Sequence, residues 1–173
     1  MPRWNAARTK IQLRLAIQRA RMLQEKKEAL AKRARLDIAD LVKKGKLETA
    51  RVKTESLIID DAKVHVELLE LLELFCETLY ARFALLELRS TEPDAAVKEP
   101  FCTILHAAHR TEIQELHVLH DMLLVRYGPD VAAAAMENRD GCVSDRVVKK
   151  LAFAMPPDDL VDACVFPRSL ADL

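Results

Sequence analysis

From Asn5 to Lys44 the chain runs without a proline or glycine, and its composition over that stretch favours one regular structure, a long α-helix. Leu13, Ala16, Ala20, Leu23, Leu30, Ala34, Ile38 and Leu41 recur at helical spacing, interrupted by Lys27, and form a stripe that needs a long partner. A second seam of Ile11, Leu15, Met22, Ala29 and Leu36 lies on nearly the opposite side, so the helix is expected to touch more than one neighbour. Basic residues fill the flanks. Lys10, Arg14, Arg21, Lys32 and Arg35 lie on one side, with Arg8, Arg19, Lys26, Arg33 and Lys44 on the other.

Gly45, set among Lys43, Lys44 and Lys46, stops the pattern, because cations oppose the negative end of the helix dipole and glycine ends the last turn. A second helix is expected over 47–89, about 60 Å long like the first. Two such rods joined by so short a turn must fold back antiparallel. Beyond Leu68 the run LLELLELFCETLYARFALLEL is apolar on several faces, so later helices should pack against this half and leave the hairpin tip exposed. Pro93 and Pro100 mark a break. Shorter helices are expected at 101–108, 111–127 and 131–137, at 144–153 with Ser144 as cap, and over 158–166 between Pro157 and Pro167.

The chain is thus read as all-α and as one domain of 173 residues: 1–6 flexible, 7–44 and 47–89 the hairpin, 94–166 shorter helices, 167–173 a tail. Only 3 Gly and 7 Pro, and no sustained strand alternation, support the class. The zero net charge hides an asymmetry. Residues 1–53 hold 16 Lys/Arg against 5 Asp/Glu, a net of +11, and the remainder carries −11. A cationic rod suits an anionic partner, and opposite ends of neighbouring copies attract, which makes a homo-oligomer an expectation. Cys76, Cys102, Cys142 and Cys164 contain no CxxC pair, no signal-peptide stretch opens the chain, and no run of about 18 apolar residues occurs. A cytoplasmic protein with reduced thiols is expected.

Chemistry is thinly represented. Cys102, His106 and His109 share a helical face, and His117 and His120 stand three apart, but no four-ligand zinc pattern appears, so no metal and no cofactor are assigned. Glu67, Glu70, Glu73 and Glu77 form an acidic row without a Glu-x-x-His unit, read as a solvated face or a surface for a basic helix. Nucleophile elbow, phosphate loop and HExxH are all missing, and no catalytic residue is assigned; the chain reads as a binding protein rather than an enzyme. The basic first helix is the informative part. Its simpler reading is a solvated coiled-coil flank. The sharper one is contact with an anionic membrane through Arg3, Trp4, Arg8, Lys10, Arg14, Arg21, Lys32 and Arg35, each basic residue contributing about 1 kcal/mol near such a surface. Nucleic acid is not expected as a partner, for no aromatics interleave the bases.

These residues resemble one family. IQLRLAIQRARMLQEKKEALAKRARLDIADLVKKGKLETARVKTESLIIDD is similar to the helical hairpin of the Ist1 family, LLELLELFCETLYARFALLE to its second-helix signature, and GCVSDRVVKKLAFAMPPDDLV to its late Gly-x-Val-x-Asp-Arg-x-x-x-Lys-Leu segment with the Pro-Pro helix after it. The resemblance implies an ESCRT-III-type core: a long hairpin with shorter helices along it. It implies a non-enzymatic adaptor or polymer subunit in endosomal protein sorting, multivesicular-body formation and cytokinesis, peripheral on endosomal membranes. Its partners would be other ESCRT-III subunits of the charged multivesicular body type and, indirectly, the AAA ATPase that disassembles the filaments. A partner's C-terminal helix would dock at Val161, Asp162 and Val165, where Cys164 replaces a larger aromatic and Pro167 ends the helix early. The family's C-terminal motifs for ATPase recruitment are not found before Leu173, so that route is not assigned. The alternative is a soluble helical scaffold that binds one partner helix, without membrane or polymer activity.

Overall fold

A computed structural model describes residues 4–59, 62–88 and 90–154, and every regular element among them is a helix. The first, α1 (Ala6–Lys43), opens on Asn5, whose side chain accepts the Arg8 amide at 3.0 Å. It closes at Gly45 in the left-handed region (φ +72°), where the Lys46 amide donates to Leu41 O and the Gly45 amide to Val42 O, both at 3.0 Å. This paired closure uses the carbonyls a helix end leaves free and reverses the chain.

The return rod is divided into α2 (Leu47–Ile59), α3 (Ala62–Ala81) and α4 (Phe83–Glu87). Lys10 lies against Tyr80 and Phe83, and Arg21 and Gln24 against Glu73, so the rods run antiparallel, as the turn required. The uninterrupted helix expected over 47–89 is broken at Arg82, and positions 60, 61 and 89 lie outside the described residues. The break has a visible partner. Arg82 Nη1 donates to Ala96 O at 2.7 Å, the carbonyl that Pro100, lacking an N–H, cannot serve four residues on.

That bond accounts for the largest departure from expectation. Pro100 was expected to precede a helix at 101–108; instead it lies inside α5 (Ala95–Ala108), which begins at the Asp94 cap. α5 is the central helix. Val97, Phe101, Ile104 and Leu105 are fully buried, and together with Leu68, Leu72, Leu79 and Leu86 they make the core. Then come α6 (Gln114–Tyr127), α7 (Pro129–Met136) and α8 (Asp145–Ala154), each within a few residues of its expected position. α6 packs on α1 and α5, α7 on α5 and α6, and α8 on α3 and α5. The segment 155–173, with Pro156, Pro157, the helix expected over 158–166, Pro167 and the tail, lies outside the described residues, as do positions 1–3.

The two seams of α1 fare differently. Leu13, Ala16, Ile17 and Ala20 are buried. The opposite seam finds no neighbour within the described chain: Ile11, Met22 and Leu36 remain 59, 61 and 60 % exposed. The second neighbour of α1, helix α6, arrives on a polar flank. Gln12 Nε2 donates to Glu115 O at 3.1 Å, while Arg19 pairs with Glu115 and Lys27 with Glu112, each at 3.0 Å.

Candidate functional site

Two surfaces carry features beyond packing. The first is a groove of about 780 Å³ between α3 and α8. Its α3 wall is Val64, Glu67, Leu71 and Leu74, spaced three, four and three apart, with Glu70 beside them. That spacing puts one apolar stripe along the groove. Leu74, large and apolar, is 52 % exposed. The α8 wall supplies Arg146, Lys149 and Lys150. Glu67 and Lys150 form an ion pair across the floor and tie the walls together. Apolar side chains thus lie between an acidic and a basic rim.

α8 is held at this wall from its start. The Ser144 amide donates to Thr103 Oγ1 of α5 at 3.0 Å in a buried bond, and Ser144 O accepts the amides of Val147 and Val148. Ser144 therefore stands at the cap position expected of it, with the carbonyl as the group seen to act. Val147 and Leu151 face inward and leave the basic side chains outside.

The second surface is the cationic side of α1, which the structure sorts. Arg8, Arg14, Lys32 and Arg35 are exposed and form no ion pair with another described residue. Arg21 is committed: its guanidinium bridges Glu73 and Glu77, whose charge raises its already high pKa. Lys10 lies over the rings of Tyr80 and Phe83, 5.3 and 5.8 Å from their centres. Trp4 is not presented to the outside. Half-buried, it packs on Phe83 with ring centres 6.4 Å apart, and the Arg126 guanidinium lies 5.3 Å from its own ring centre. Arg126 also donates to Leu86 O and Leu88 O, closing the end of α4. Arg3, Val161, Asp162 and Val165 lie outside the described residues.

The acidic row staples helices: Glu73 and Glu77 hold α1, and Glu67 holds α8. Cys102 and His106 serve separate neighbours, Cys142 and the carbonyl of Met136 at 2.7 Å, while His109 touches the rings of His117 and His120. Among the described residues no group of three His, Cys, Asp or Glu is placed to hold a metal, and no helix is long and apolar enough to cross a membrane. Leu74, Arg146 and Lys149 were not singled out from sequence. The one available signal was the surplus of apolar positions on α3, which demanded more neighbours than the chain supplies.

A helical hairpin stiffened by short helices defines the class as all-α proteins with an ESCRT-III-like fold. The family profile for Ist1, described as a regulator of Vps4 activity in the MVB pathway, matches residues 10–166, and the chain belongs to the Ist1 family. It is 35 % identical over 158 residues to the vacuolar protein sorting-associated protein ist1 of Schizosaccharomyces pombe, covering 91 % of this chain and 57 % of that protein. It is 33 % identical to its namesake from Saccharomyces cerevisiae (87 % and 52 %) and 29 % identical to an IST1-like protein of Dictyostelium discoideum (92 % and 42 %). The chain thus spans about half the length of these relatives. Among solved structures, the N-terminal domain of S. cerevisiae Ist1, crystallised in complex with a Did2 MIM motif, superposes with a TM-score of 0.75 at 29 % identity, over 94 % of this chain and 88 % of that one.

Proposed function

We propose that this chain is a non-enzymatic adaptor of the ESCRT-III system, which receives the C-terminal helix of another ESCRT-III subunit and modulates the Vps4-type disassembly ATPase in endosomal sorting and membrane remodelling. The observation that carries the reading is the exposed Leu74, with the half-buried Val64 along the same groove, facing Arg146, Lys149 and Lys150, on a chain whose solved relative was crystallised with a MIM motif. Val161, Asp162 and Val165, which the family resemblance assigns to partner docking, remain part of the proposal by that resemblance alone. A peptide of the Did2 MIM type, titrated by anisotropy, tests the groove. Leu74→Arg should weaken binding by at least tenfold with unchanged far-UV dichroism, because it places a charge on the apolar stripe without disturbing the core. Unchanged affinity removes the groove from the proposal.

Peripheral contact with an anionic endosomal membrane is the second part, supported by the exposed cations Arg8, Arg14, Lys32 and Arg35 on one rod. Flotation with phosphatidylserine liposomes should fall as salt is raised and drop further on charge reversal of Arg8, Arg14 and Arg35, at about 1 kcal/mol per residue. The alternative scaffold, without membrane or polymer activity, is favoured by one observation: Trp4 and Arg21 are engaged within the fold. Flotation indifferent to both salt and charge reversal, alongside intact peptide binding, selects that alternative.

A further inference from the structure

The groove and the cationic rod leave one pair of reactive groups unused. Cys102 lies on α5, buried, and Cys142, half-buried, lies in the connection from α7 to α8. Both thiols line one open-mouthed cavity of about 230 Å³ with Lys98, Asp130 and Asp140. Their placement is fixed. Thr103, next to Cys102, accepts the Ser144 amide at 3.0 Å in a buried bond, and Asn138 Oδ1 accepts the Val143 amide at 3.0 Å. The first bond holds the connection against α5 two residues after Cys142, and the second closes the turn that carries Cys142. Gly141, in the left-handed region at φ +61°, sets the bend just before it.

We infer that Cys102 and Cys142 form an oxidative modification site, in which a hydroperoxide converts the pair to an intrachain disulfide. The roles follow from burial. Cys142 is the thiol an oxidant can reach through the cavity. Cys102, buried behind it, is the resolving thiol: burial above all, then the Cys142 thiol, pushes its pKa up while Lys98 pulls the other way, which disfavours it as the first thiol to meet the oxidant. The Cys142 thiolate attacks the distal oxygen of hydrogen peroxide; the O–O bond breaks, a sulfenic acid forms and hydroxide leaves. Cys102 sulfur then attacks the sulfenic sulfur, the S–O bond breaks, and the second hydroxide takes up a proton. Two thiols give up two electrons and two protons, and one peroxide becomes two waters. Cys76 is a poor competitor. It is buried in the core, and burial with the charges of Glu73 and Glu77 pushes its thiol up to about 12.

The bond would lock the connection that leads into α8 and so stiffen the basic wall of the groove. That consequence rests on the groove reading; the disulfide itself does not. The experiment uses the whole chain, reduced, then exposed to hydrogen peroxide, alkylated and weighed intact. Labelled thiols should fall from four to two with the loss of two hydrogens. Proteolysis should return one linked peptide pair holding Cys102 and Cys142, and dithiothreitol should restore all four thiols. Cys142→Ser should keep its three remaining thiols under the same treatment. Cys102→Ala should stop at a sulfenic acid on Cys142 that dimedone captures. A link through Cys76 or Cys164, or a sulfinic acid at Cys142 of the unaltered chain without a disulfide, overturns the inference. Peptide binding by oxidised and reduced forms then reads the effect on the groove separately.

Discussion

The base and the tip of the hairpin share one helix, α1, but obey different rules. At the base, Leu13, Ala16, Ile17 and Ala20 disappear in one core with Leu68, Leu72 and Leu79, where α6 packs on α1 and α5 on α3. Toward the tip the same stripe continues with Leu30, yet Leu30 is 56 % exposed and Val42, Leu47 and Val52 are exposed with it. Among the described residues of α2, Ala50 is the buried one. Two helices alone cannot enclose large side chains; a third layer is needed. Periodicity therefore shows where a helix is able to bury a face, and the number of neighbours decides whether it does.

The largest effect should come from the base. Phe101→Ala removes a fully buried ring beside Tyr127, whose ring centre is 5.0 Å away, and should cost about 3–5 kcal/mol in urea unfolding. The same truncation at the tip, Leu30→Ala, should change stability by about 0.5 kcal/mol or less. Equal costs would break the comparison. Gly45→Ala comes next. No atom stands within 4 Å of the added methyl, so the cost is the left-handed backbone alone, about 1 kcal/mol. It should appear as faster amide exchange at the tip, with amides of α5 unaffected.

The smallest effect should follow pH. Burial, with a lesser push from the Arg110 guanidinium, lowers the His106 pKa below its usual value, although the bond to Met136 O opposes this. The neutral ring is the form the fold prefers. Its stabilisation is complete above the unfolded-state value near 6.5 and is lost as pH falls from there through the lower folded-state value. The urea midpoint should therefore decline between pH 7 and the lower folded-state value, and His106→Gln should flatten that decline.

Much of this architecture could be read from residues in isolation. Gly45 among its lysines announced the reversal, and the apolar run after Leu68 announced which half would be enclosed. What stayed hidden depends on atoms far apart in the chain. Pro100 reads as a helix breaker until Arg82 is seen to serve the carbonyl it leaves free. Arg21 and Arg14 look alike along α1, and only the approach of Glu73 and Glu77 tells the committed cation from the free one. The groove was the least legible part, since Leu74 differs from the buried Leu71 and Leu72 beside it only in its exposure.

The uncovered stripe of Ile11, Leu15, Met22 and Leu36 has a colloidal consequence. Flanking cations keep two such stripes apart by mutual repulsion at low ionic strength, acting as gatekeepers for the oily strip between them. Added electrolyte weakens that barrier while leaving the attraction between the stripes intact. Brine should therefore drive molecules of this chain toward one another, a shift that light scattering across a salt series would read.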